Sequence, residues 1–160
     1  MPKLLIVDDD TDNRELFAVI LSTHGCHVLT AADSSSADRQ ISDDLDLMLL
    51  DLRLPRESGL DYCRRLKATP ATAGIPILLM SGDVTKEQLT AGVAAGAIDV
   101  MTKPFGRAEL VERVEAALAY SRASIAPASA AVLAARAARA LPSRNAQLLG
   151  YGLSLEPRVA

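Results

Sequence analysis

The chain has 160 residues, 49% hydrophobic and 23% charged, which suits one globular domain with a modest extension and leaves no room for two packed domains. The net charge of −3 hides an asymmetry: residues 1–120 carry 12 Lys+Arg against 19 Asp+Glu, whereas residues 121–160 carry five Arg against Glu156 alone. The acidic body lacks the basic face that releases counterions from nucleic acid, and five aromatic residues make no stacking platform, so no direct nucleic-acid binding is expected.

In chain order, Lys3-Leu4-Leu5-Ile6-Val7 is a short apolar run ending in acids, as in a strand buried on both faces. Thr11 to His24 follows as a helix, with Leu16, Phe17, Val19, Ile20 and Leu21 on a helical period and Gly25 as its stop. The same alternation predicts His27–Ala31 as strand and Ser34–Ile41 as helix, then Leu45–Leu50 and Gly59–Ala68. Ile75–Met80 and Lys86–Ala95 come next, then Ala97–Met101 and Arg107–Tyr120. Five βα units call for an α/β fold, a doubly wound five-stranded parallel sheet with helices on both faces and a crevice at the carboxyl ends of the strands. Residues 1–122 form that domain. Residues 123–160 are an Ala/Arg-rich tail, with Ala128–Leu141 as a helix between Pro127 and Pro142. No run approaches a membrane span, the charged start lacks a secretory plan, and Cys26 and Cys63 are too few for a disulfide framework, so a cytoplasmic protein with reduced cysteines is expected.

The strand ends carry the chemistry. Asp8 and Asp9 end the first strand and Asp51 ends the third, and in a doubly wound sheet those ends converge. Like charges about 4 Å apart cost on the order of 4 kcal/mol at an effective dielectric near ~20, so the three carboxylates call for a cation. An all-oxygen set selects a hard ion, Mg²⁺ above all. Asp10 and Asp12 have a blander reading as caps of the first helix. Ser81 closes the fourth strand with Gly82 after it, and Lys103 follows the fifth; a hydroxyl and an ammonium both suit a phosphoryl group.

At these residues the sequence resembles the receiver domains of two-component response regulators. The pieces are Ile6-Val7-Asp8-Asp9-Asp10, Leu50-Asp51-Leu52-Arg53-Leu54-Pro55 with Gly59, Met80-Ser81-Gly82, and Asp99-Val100-Met101-Thr102-Lys103-Pro104-Phe105, with intervals of 30 and 22 residues between Asp51, Ser81 and Lys103. The resemblance implies a flavodoxin-like (βα)5 fold with strand order 2-1-3-4-5. It implies that Asp51 accepts a phosphoryl group from a sensor histidine kinase or histidine phosphotransfer protein. It also implies Mg²⁺ ligation by Asp9, Asp51 and the Arg53 backbone carbonyl, with Asp8 acting through water. Ser81 and Lys103 would hold the phosphoryl oxygens, and a cis peptide bond would precede Pro104. Such a protein is not an enzyme beyond self-phosphorylation and slow autodephosphorylation. Its output would be a downstream protein target, with a homodimer through the fourth and fifth βα segments as a further expectation.

Three positions depart from the family pattern. Val100 stands where an aromatic switch residue is usual, Ser81 replaces the commoner Thr, and Arg53, near the route of a hydrolytic water, could pair with Asp83. Two other functions compete. A haloacid-dehalogenase-like phosphatase would use Asp8-x-Asp10, Ser81 and Lys103 but needs a further acid after the lysine and leaves Asp51 idle. A longer regulator is the other: Leu148 to Val159 faintly resembles the opening strand of cyclic-di-GMP phosphodiesterase domains. A calcium loop at Asp8-x-Asp10-x-Asp12 fails at Asn13 and Val19, and His24-x-Cys26-His27 straddles a turn that aims its groups apart.

Overall fold

The structure, a computed structural model, describes residues 1–82 and 85–123. The tail helix expected at Ala128–Leu141 and the pairing expected of Arg53 with Asp83 lie outside the described residues. Among the described residues five strands and five helices alternate: β1 (Lys3–Val7), α1 (Thr11–Thr23), β2 (His27–Ala31), α2 (Ser34–Asp38), β3 (Leu47–Asp51), α3 (Gly59–Ala68), β4 (Ile77–Ser81), α4 (Lys86–Ala94), β5 (Asp99–Thr102) and α5 (Arg107–Ala123). All strand pairs are parallel and the order is β2-β1-β3-β4-β5, so the flavodoxin-like doubly wound fold stands as expected.

Alternate residues of the central strands serve two cores. Leu5, Val7, Met48, Leu50 and Leu79 face α2, α3 and α4, meeting Ala37, Tyr62, Cys63, Leu66 and Leu89. Leu4, Ile6, Leu49, Leu78 and Met80 face α1 and α5, meeting Phe17, Ile20, Leu21, Leu110 and Val114. Leu16 and Val19, expected on the apolar face of α1, are instead 54% and 63% exposed. The stripe of Phe17, Ile20 and Leu21 takes the sheet-facing arc, and its neighbours turn to solvent.

Several element boundaries differ from expectation. β4 starts at Ile77 rather than Ile75, because Pro76 has no N–H to give the ladder and contributes only its carbonyl, to Met48 N at 3.0 Å. β3 starts at Leu47, where its pairing with Leu4 begins, and both strands run one residue further than expected, so Asp51 and Ser81 lie inside the ladders. β5 begins at Asp99, since Ala97 is still bonded to Gly92 O of α4. α2 spans only five residues: Gln40 turns back, its side-chain amide donating to Thr30 O of β2 at 2.6 Å, and ends the helix early.

Candidate functional site

Parallel strands buried on both faces deliver their carboxyl ends to one edge, and β1, β3, β4 and β5 meet there side by side. Asp8 follows β1 directly and is fully buried, its amide still bonded to Ala31 O of β2. One of its carboxylate oxygens accepts from Asp10 N at 2.9 Å, the other from Lys103 Nζ at 2.7 Å. Lys103 also donates to Asp51 Oδ2 at 3.0 Å, and Asp51 Oδ1 accepts from Arg53 N at 3.1 Å. One ammonium therefore bridges the ends of β1 and β3 from the loop after β5. Asp9 is exposed, and its carboxylate joins the other two: Asp8, Asp9 and Asp51 each offer an oxygen, all within 4.8 Å of one another.

Lys103 reaches that place because its loop is held at several points. Its amide donates to Ser81 O at 2.7 Å, the Lys103–Pro104 bond is cis as expected, and Phe105 stacks on Phe17 of α1 with ring centroids 5.0 Å apart. Across the site, Gly59 N donates to Leu52 O at 2.8 Å. A Cβ at Gly59 would stand 2.0 Å from the Asp51 carbonyl, so only glycine lets α3 start there. Ser81, at the end of β4, is 1% exposed.

Electrostatics follow from burial and pairing. Loss of water raises the Asp51 carboxyl above its ordinary value, outweighing the bonds from Arg53 N and Lys103. Burial works against the Lys103 ammonium, but its two carboxylate partners outweigh that and hold it above the usual lysine range. The three acids form an all-oxygen donor set with no imidazole or thiolate, the chemistry of a hard divalent cation, and so fit Mg²⁺.

Most expected site residues thus come together: Asp8, Asp9, Asp51 and Lys103 meet, Arg53 brings its amide, and Ser81 ends the adjacent strand. Asp10, the second acid of the phosphatase reading, caps α1 by accepting from Asn13 N. Among the described residues the acid trio is the only potential metal cluster, so His24, Cys26 and His27 form none. Sequence reasoning missed Arg14, whose guanidinium donates to the Asp8 carbonyl at 2.7 Å, because a lone arginine on a helix reads as a solvated side chain. It also missed a polar brace behind the site, where Arg65 donates to both Glu57 and Asp38 while Tyr62 donates to Asp38. Nothing in the local sequence pairs those residues.

A model of the response regulator receiver domain family matches residues 4–115. The phosphate regulon transcriptional regulatory protein PhoB of Pseudomonas aeruginosa is 40% identical over 116 residues, covering 72% of this chain and 51% of that protein. The transcriptional regulatory protein CpxR of Escherichia coli is 34% identical over 121 residues, covering 76% of this chain and 51% of that one. The chain spans about half the length of the curated relatives it matches. Among solved structures, a response regulator from Chloroflexus aurantiacus superposes with a TM-score of 0.70 at 37% identity, covering 74% of this chain and 99% of that chain. A CheY-like receiver domain protein from Methanospirillum hungatei gives 0.71 at 25% identity, covering 78% and 98%.

Proposed function

The chain belongs to the response regulator receiver domain family of two-component signalling, and from that premise we propose that Asp51 is its phosphoacceptor. The observation that carries this reading is the bridge from Lys103 Nζ to Asp51 and Asp8, which places a cation beside the one acid that ends a central strand and starts an open turn. The donor is a phosphohistidine on a sensor kinase or phosphotransfer protein. An Asp51 oxygen attacks phosphorus while the electron pair of the P–N bond returns to the imidazole, so no general base is needed. Asp9, Asp51 and the Arg53 carbonyl would hold Mg²⁺, with Asp8 acting through water, and the ion would supply positive charge to offset that of the phosphoryl group. Lys103 exchanges a carboxylate for a phosphoryl oxygen, and Ser81 turns its hydroxyl to another. Leu16 and Val19, exposed on the helix that follows Asp8 to Asp10, supply apolar contact for the donor protein.

Members of this family are mostly signalling proteins without enzymatic activity, and self-phosphorylation and autodephosphorylation are single-turnover events at Asp51. The relatives named as transcriptional regulatory proteins narrow the expectation about nucleic acid, which applies to the acidic body of residues 1–120 and not to a whole regulator. The output is a protein contact made through α4, β5 and α5, with a downstream target or a second copy. An output domain such as a cyclic-di-GMP phosphodiesterase is the second reading. Among the described residues no helix is long and apolar enough to cross a membrane.

The test is to incubate the chain with acetyl phosphate and Mg²⁺ and map the modified peptide. Wild type should take one label on the peptide holding Asp51, and Asp51→Asn should take none. Label retained by Asp51→Asn at the wild-type level would remove the assignment, and multiple-turnover hydrolysis of a phosphomonoester would favour a phosphatase.

A further inference from the structure

We propose that Arg14 is a positioning residue for the metal-binding acids, acting through the peptide that joins Asp8 to Asp9; the inference rests on reading Asp8, Asp9 and Asp51 as a Mg²⁺ site. The Asp8 carboxylate is tied at both oxygens, by Asp10 N and by Lys103 Nζ, and the Asp51 carboxylate at both, by Arg53 N and Lys103 Nζ. Asp9 is different. It is exposed, and among the described residues no hydrogen bond holds its carboxylate. Its place beside the other two therefore depends on its own main chain.

That main chain leaves the sheet at this point. The last paired residue of β1 is Val7, opposite Ala31, and Asp8 still uses its amide on Ala31 O. The Asp8 carbonyl lies beyond the paired residues, and Arg14 Nη1 takes it at 2.7 Å. Because a peptide is planar, fixing that carbonyl fixes the orientation of the Asp8–Asp9 unit and the direction in which Asp9 leaves it.

Arg14 is itself firmly seated. It lies in the first turns of α1, half-buried, with Nη2 3.5 Å from Thr11 Oγ1. Three residues on, Phe17 is buried and stacks on Phe105, which follows Lys103 and Pro104. One face of α1 thus carries both supports of the site: Arg14 to the acid peptide and Phe17 to the lysine loop.

The sign of the effect separates positioning from charge. A guanidinium bonded to the Asp8 carbonyl repels a divalent cation arriving at the acids, so if Arg14 acted through its charge alone, removing it would tighten Mg²⁺ binding. Acting through the peptide, its removal must weaken binding, since outer partners of metal ligands are each worth roughly tenfold or more in affinity. The experiment is calorimetric titration of the full chain with Mg²⁺, alongside melting in EDTA. Arg14→Met should bind Mg²⁺ roughly tenfold more weakly while keeping most of its melting temperature, and Arg14→Lys, which keeps a donor of similar reach, should stay close to wild type. Should the Met variant fail to fold, Arg14→Gln, too short to reach the carbonyl, carries the same expected loss. A variant that binds Mg²⁺ as well as wild type, or more tightly, overturns the inference. Failure of the wild type to bind Mg²⁺ would instead bring down the site reading on which it stands.

Discussion

Tyr62 shows how much one hydroxyl can tie together. Its ring is fully buried in α3, its hydroxyl donates to Asp38 at 2.8 Å, and Arg65 lies 4.8 Å over the ring while bonding Asp38 and Glu57. The brace joins the end of α2, the loop after Asp51 and α3. Burial first, then the Asp38 carboxylate, push the Tyr62 phenol far above its ordinary value. The folded protein therefore keeps this proton where the unfolded chain releases it near pH ~10, and stability from this group, full below that value, falls as pH rises through it. Tyr62→Phe keeps the ring and loses the bond to a charged acceptor. It should be less stable by roughly 1–2 kcal/mol at pH 8, with a shallower alkaline decline. Urea midpoints from pH 8 to 11 check both, and an unchanged alkaline slope would mean that Tyr62 titrates normally.

Among the elements, α4 sits close on the sheet at Gly92. Thr85 and Gln88 form a capping box at its start, and Gly92 on its inner face leaves no room: a Cβ there would meet Val100 Cγ2 at 3.0 Å and Leu79 Cδ1 at 3.1 Å. Val100 is fully buried, at the position where receiver domains usually carry an aromatic ring. A β-branched side chain has few rotamers with which to retreat. Gly92→Ala should therefore destabilise the protein, overpacking outweighing the gain in helix propensity of about 1 kcal/mol. In a Val100→Ala background the same substitution should stabilise. Denaturation of the four proteins of that double-mutant cycle measures the coupling, and additive effects would mean that α4 and β5 are not in hard contact. A helix seated this closely suits a switch that moves the surface of α4 rather than a ring beneath it.

For the whole molecule, charge at the three acids is what a bound cation would act on. Lys103 already offsets part of the repulsion between Asp8 and Asp51, so the metal-free fold is not the uncompensated acid cluster that the strand ends alone imply. Asp9 carries what remains. Mg²⁺, binding the folded state alone, should stabilise it by about 2.7 kcal/mol at a hundredfold excess over Kd, a melting shift on the order of 10 °C. Asp9→Ala should melt slightly higher than wild type in EDTA and lose most of that shift. An unchanged Mg²⁺ response in Asp9→Ala, read by calorimetry or circular dichroism, would show that the acids do not act as one site.

Much of this was legible in the chain itself. Burial periodicity is a local property, so apolar runs such as Lys3–Val7 and the alternation of five βα units were enough for the parallel sheet, and the residue types at strand ends were enough to nominate Asp8, Asp9, Asp51, Ser81 and Lys103 as candidates, of which Asp8, Asp9, Asp51 and Lys103 lie together. Tertiary structure decided the rest, because it depends on which strand lies beside which. The ladders begin where neighbours can pair, so the missing N–H of Pro76 and the register of Leu4 with Leu47 moved two strand starts. Packing against the sheet chose Phe17, Ile20 and Leu21 over Leu16 and Val19. The bridging of Asp8 to Asp51 by Lys103 and the grip of Arg14 on the Asp8 carbonyl are distances between side chain and strand end, which no periodicity encodes.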